Sequence, residues 1–185
     1  MKLAVATRSK KKSDLKQLRR DGKIPAVLYS KGEPGKLLTV DAIEFKKILN
    51  TTPIGTLSSK VFSLEGLNGK PIQALVKDIQ YNIVTYDVIH LDFEEMFEDE
   101  PITLNIPLVC INTVDCIGVK LGGVIRQVIR HVRVTCLPKN IPAQFELDVR
   151  DMHLGQTKKL TALTIPEGVR PRVNLNEAAV VIARK

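Results

Sequence analysis

Two side chains with chemistry to offer stand two residues apart in the run Val88-Ile89-His90-Leu91-Asp92-Phe93. The alternation there reads as a strand over residues 86–93. It turns Ile89, Leu91 and Phe93 toward a core and Val88, His90 and Asp92 away from it. A carboxylate beside an imidazole can fix its tautomer, which in an enzyme orients a general base. No nucleophile or metal cluster accompanies this pair. The chain has no G-x-S-x-G, no H-E-x-x-H or H-x-x-x-H spacing among His90, His131 and His153, and no C-x-x-C among Cys110, Cys116 and Cys136. Gly35-Lys36 is not a P-loop: Ser30 stands where the first glycine belongs, and Leu37 where a magnesium-binding hydroxyl belongs. The reading is therefore of a non-enzyme with no cofactor and no metal. His90 and Asp92 are either a polar surface pair or hydrogen-bonding groups for the 2′-hydroxyls and guanine amino groups of an RNA minor groove.

The cations bear on that choice. Net charge is +8. Residues 1–31 hold ten Lys/Arg against two Asp/Glu, residues 32–92 six against seven, and residues 93–185 twelve against eleven. The excess gathers at the amino end, as a polyanion-binding surface would require. Arg8 and Lys10 to Lys12 form a basic loop. A helix follows over residues 13–20, with Ser13 as N-cap and Gly22 just past its end. Leu15 and Leu18 dock one side, and Lys16, Arg19 and Arg20 face outward on another. Aromatic residues make up only 4% and Trp is absent, which argues against a single-strand binder that stacks bases and for recognition of structured RNA by shape and phosphate. The near-zero charge of residues 93–185 argues against a second strong RNA site. Three cysteines without a pairing pattern fit reduced core residues and the cytosol. The apolar start at residues 3–6 is too short for a signal peptide, and no run reaches transmembrane length, so no membrane partner is expected.

Positioning these residues is a job for short strands. Segments 2–7, 24–30 and 37–40 read as strands; Val27 and Tyr29 share one face of the second, Ala26 and Leu28 the other. Asp41-x-x-Glu44 opens a helix through residue 49 whose apolar side is Ala42, Phe45, Ile48 and Leu49. Residues 56–64 and 71–80 read as a hairpin around Asn68-Gly69. The acidic stretch 94–101 ends in proline and divides the chain into domains 1–93 and 94–185. Beyond it come segments 102–111, 122–125, 131–137, 144–149, 158–163 and 178–183, a β-rich second domain. The fold class is mostly β, with short helices.

At Arg19-Arg20-Asp21-Gly22-Lys23-Ile24-Pro25-Ala26-Val27-Leu28-Tyr29 the chain resembles the bacterial large-subunit ribosomal protein family that binds 5S ribosomal RNA, in its longer form called Ctc or general stress protein. Val76-Lys-Asp-Ile-Gln80 and His90-Leu-Asp92-Phe93 agree with its first domain. Gly122-Gly-Val, Cys136-Leu-Pro-Lys-Asn-Ile-Pro142 and Pro166-Glu-Gly-Val169 agree with its second. The resemblance implies a six-stranded β-barrel, similar to the anticodon-binding domain of glutaminyl-tRNA synthetase, followed by a β-rich domain. It implies a place on the central protuberance of the large ribosomal subunit, in the cytoplasm, against the minor-groove side of an internal loop of 5S RNA. Contact with neighbouring ribosomal proteins through residues 94–185 would follow. Carried over by motif, Tyr29, His90 and Asp92 face RNA, and Arg19, Arg20 and Gln80 lie in the matching motifs; Arg8 and Lys12 are expected as phosphate contacts, and Lys16 joins the RNA-binding set as an outward cation of the helix. Ser30, Asn82-Ile83, Leu15-Lys16 and Gln156 depart from the family pattern. A tRNA-binding accessory module and a stress-linked protein adaptor are the alternatives.

Overall fold

Alternating apolar residues close a barrel in the first part of the chain. The computed structural model describes residues 1–9, 12–53, 55–66 and 71–184. The side chains of Lys10 to Lys12, the Ser13 cap and the Asn68-Gly69 turn lie outside that description. β1 (Lys2–Thr7), β2 (Lys23–Tyr29), β3 (Lys36–Asp41), β4 (Val61–Glu65), β5 (Ile72–Tyr81) and β6 (Val88–Glu95) bond in the closed order β1-β3-β2-β6-β5-β4. Two junctions are parallel, β1 with β4 and β2 with β6; the rest are antiparallel. Closure removes every free edge of the sheet.

The inward half of each alternation fills the barrel. Leu3, Leu28, Leu38, Phe62, Leu64, Leu91 and Phe93 are fully buried, each contributing roughly 1.5–3 kcal/mol relative to exposure. Phe62 and Phe93 meet edge to face, with ring centroids 6.2 Å apart. Helix α1 (Lys12–Arg20) begins one residue before the expected start and packs on β2. Helix α2 (Ala42–Thr51) follows β3 directly, because Asp41 ends the strand and caps the helix: its carboxylate accepts from the Ile43 and Glu44 amides at 2.8 and 3.0 Å. α2 buries Phe45 in the barrel core, with Ala42, Ile48 and Leu49 packed beside it.

Two expectations about strands need correction. Residues 57–59 form a 3₁₀ turn, and β4 starts only at Val61. Hydroxyls explain this: Thr56 donates to the Pro53 carbonyl and Ser59 to the Thr56 carbonyl, both at 2.8 Å, bonds that compete with a ladder. Likewise β6 starts at Val88 rather than residue 86. Asn82 organises the preceding turn by accepting from the Val84 amide at 2.9 Å, and Tyr86 takes a positive φ of 57° there.

The chain divides into two compact units, Met1–Glu100 and Pro101–Lys185. The second contains β7 (Ile102–Ile111), a one-turn helix α3 (Ile117–Lys120), β8 (Val124–Gln127), β9 (His131–Cys136), β10 (Phe145–Asp148), β11 (Thr157–Lys159), β12 (Arg170–Pro171) and β13 (Ala178–Ala183). These form one sheet in the order β10-β7-β9-β12 and another in the order β11-β13-β8. The cysteines are free; burial pushes the Cys110 and Cys136 thiols up, away from the thiolate that would react. Among the described residues no helix is long and apolar enough to cross a membrane.

Candidate nucleic-acid interface

The outer face of the barrel over β2, β6 and β5 collects the polar residues picked out from the sequence. β6 lies between the other two, so His90 sits opposite Gln80 on β5, Asp92 opposite Asp78, and Val27 beside Asp92 on β2. Tyr29 stands one step further, beside Glu94, and is 46% exposed. His90 and Asp92 are one pair. Nδ1 of His90 lies 2.9 Å from Oδ1 of Asp92, with the two side chains 20% and 24% exposed. Both atoms are shielded from solvent, and neither makes an aligned hydrogen bond to any group of the protein. The contact is therefore close by distance but unfinished as a hydrogen bond. The two atoms shield each other, and the exposed fraction of each side chain is what a group outside the barrel could reach.

An irregularity in β6 shapes this site, and it corrects the alternation expected from the sequence. The pairing with β5 steps from Gln80–His90 to Tyr81–Val88, leaving Ile89 as an extra residue. Val88 therefore packs against the core, which the strict alternation had assigned to Ile89. The register with β2 begins only at Leu91, so Ile89 has no ladder partner there either. Its carbonyl instead accepts from Nε and Nη2 of Arg19, at 3.3 and 3.2 Å. Arg19 thus clamps α1 to the strand next to His90. A second bulge, at Lys77 on β5, lets that side chain pair with Glu94 at 2.8 Å.

The remaining residues flank the face. Arg8 follows β1; its Nε donates to the Leu38 carbonyl at 3.2 Å, and burial lowers its pKa from the ordinary guanidinium value. Lys16 and Arg20 are exposed on α1. Gln80 is exposed beside His90. The side chain of Lys12 lies outside the described residues. Sequence reasoning missed Asp78, Lys77 and Glu94 as neighbours of the pair. The Val76-to-Gln80 run contained the first two, but only the bulge decides which of its side chains point outward. Beside the face a cleft of about 510 Å³ opens between α2 and the turn before β6, lined by Arg19, Lys23, Phe45, Lys46, Tyr86 and Ile89.

Among the described residues no group of three metal-ligating side chains occurs, and no nucleophile stands beside His90. Fold and site together define a closed β-barrel with a polar, cation-flanked outer face, followed by a second β-rich unit. Residues 3–93 match the model of the Ribosomal L25p family, and residues 101–185 match that of the Ribosomal protein TL5, C-terminal domain. The chain is 56% identical to the large ribosomal subunit protein bL25 of Chlamydia pneumoniae and 54% identical to that of Chlamydia muridarum, each alignment spanning the whole of both chains. The chain belongs to the Ribosomal L25p family, with a TL5-type C-terminal domain; it is a ribosomal protein and not an enzyme.

Proposed function

We propose that this ribosomal protein binds 5S ribosomal RNA within the large subunit, through the outer face of β2, β6 and β5. The observation that carries the reading is the His90–Asp92 pair: an imidazole and a carboxylate held 2.9 Å apart, each partly exposed, on an outer face flanked by cations. An imidazole and a carboxylate offer a donor and an acceptor to the 2′-hydroxyls and base edges of a wide RNA minor groove. Tyr29 and Gln80 extend the polar face on either side. Lys16, Arg20, Arg8 and Lys12 supply phosphate contacts, which set affinity and orientation. Arg19 positions α1 for them. The relatives' designation as large-subunit proteins supports the assembly, and the motif set around Tyr29, Gln80 and His90 supports the RNA. The RNA-holding part is residues 1–93 of the first compact unit, which runs on to Glu100, with residues 101–185 as the second unit.

A gel-shift titration with 5S RNA and with a regular duplex of equal length, at 50 and 200 mM salt, tests this. Affinity for both should fall steeply with salt, by roughly 10³-fold if six or more phosphates are neutralised. Asp92→Ala should weaken 5S binding about 10–100-fold, the range for a hydrogen bond to a charged group, while leaving duplex binding nearly unchanged. Equal affinity of the wild-type protein for 5S RNA and the duplex would sink the specific reading.

A further inference from the structure

The charge of the second half changes once it is counted by compact unit. Five of the eleven carboxylates of residues 93–185 lie in the stretch 94–100, which belongs to the first unit. Residues 101–185 alone hold twelve Lys/Arg against six Asp/Glu, a net charge of +6, whereas residues 1–100 carry +2. The expected neutrality of the second domain came from where the boundary was drawn.

Three of those cations share one face of one sheet. β9 pairs with β7 so that Arg133 faces Asn105 and Thr135 faces Thr103, and β12 pairs with β9 so that Arg170 faces Thr135. The register runs on by one residue: the Arg172 amide donates to the Arg133 carbonyl at 2.8 Å, placing the two arginines opposite each other. Ile102, Leu104, Ile106, Val132, Val134 and Cys136 are buried on the inner face, so Arg133, Arg170 and Arg172 stand on the outer one, all exposed. Nε of Arg172 donates to the Thr135 hydroxyl at 3.1 Å, which orients its guanidinium.

Among the described residues none of the three is in an ion pair, Glu167 in the preceding turn included. Glu146 and Asp148 on β10 lie beside Val109 and Ile111, roughly 13–20 Å along β7 from Asn105. Like charges directly opposite across a sheet destabilise the free protein, so this array calls for an anion. Its geometry suits a backbone. Arg170 and Arg172 project from one side of an extended segment with α-carbons about 6.8 Å apart, so that one strand of phosphates running along the segment would meet both. Between Val109 at one end and Leu137 at the other the face carries threonine, asparagine, histidine and arginine, with one apolar residue, the buried Pro107 opposite His131. It lacks the aromatic or aliphatic anchors of a protein interface.

We infer that the outer face of the β7–β9–β12 sheet binds the phosphate backbone of structured RNA, as a second RNA surface in addition to the barrel. Arginine is suited to this because its planar fork meets a phosphate bidentately.

The test uses the full chain and a regular RNA duplex without an internal loop, followed by fluorescence anisotropy from 50 to 200 mM salt. R133Q/R170Q/R172Q should bind it at least 10-fold more weakly at 100 mM salt, with the slope of log affinity against log salt shallower by roughly 2–3, about 0.9 per lost phosphate contact. R133K/R170K/R172K should recover most of the slope. Single variants give an independent reading, with affinity in the order wild type, R133Q, R133E; equal affinities would overturn the inference even if the triple variant melts early. An unchanged slope in a folded triple variant would also overturn it. So would an acidic polypeptide of matched charge that binds as tightly as the duplex and is lost in the same variant, since the face would then serve a protein. Specific 5S binding and its dependence on Asp92 are read separately, so either proposal can fail alone.

Discussion

Arg19 shows how much a single side chain can hold in place. Its fork on the Ile89 carbonyl satisfies a group that the bulge leaves without a ladder partner, and it fixes α1 beside His90. Arg19→Lys keeps the charge and loses the fork. It should cost about 0.5–1.5 kcal/mol in chemical denaturation, the usual net value of a lost hydrogen bond. It should also weaken 5S binding with the salt slope unchanged; a fall in slope with unaltered stability in Arg19→Gln would make Arg19 a phosphate contact instead. Placing His90 and Asp92 on one polar face needed only the period of a strand. The role of Arg19 was not legible, because a two-residue period has no place for an extra residue. The bulge comes from pairing two strands, which neither strand's own residues encode.

The passage from β3 into α2 turns on Asp41, the last residue of one and the N-cap of the other. Asp41→Ala should destabilise the protein by about 1 kcal/mol, within the 0.5–2 range for lost caps, while Asp41→Asn, which keeps the acceptor, should be close to neutral. Thermal melts followed by circular dichroism would show it, and equal losses from both would assign the effect to charge rather than to the cap. This element was readable in advance, because a cap, its spacing to Glu44 and the apolar face at Phe45 all agree within ten residues. The turn at residues 57–59 was not. Its hydroxyls bond their own backbone, and β-rich composition alone does not reveal that competition. β12 was missed for a similar reason: two residues, Arg170 and Pro171, carry no periodicity and are a strand only because β9 lies alongside.

At the scale of the molecule, the lesson is about boundaries. The acidic stretch belongs to the first unit because β6 runs on through Glu95, the Met96 amide donates to the Gln73 carbonyl at 2.9 Å, and Glu100 pairs with Lys31 at 2.9 Å. A composition shift near residue 94 marks a change of residue type, whereas pairing decides which residues travel together. Residues 101–185 carry their own two sheets and buried core. Expressed alone, they should give a well-dispersed amide spectrum and a cooperative melt; a collapsed spectrum would show that this unit depends on the first. The topology of the barrel also sets a clock. β6 is the stave between β2 and β5, and Leu91, which pairs with Ala26, follows it by 65 residues. At about 5–20 residues per second of synthesis, β2 waits roughly 3–13 s for its neighbour. The last stave to be made is the one that carries His90 and Asp92. If the barrel binds RNA as proposed, a nascent chain exposes its cations to passing nucleic acid before the strand with His90 and Asp92 is in place, and selectivity arrives with closure.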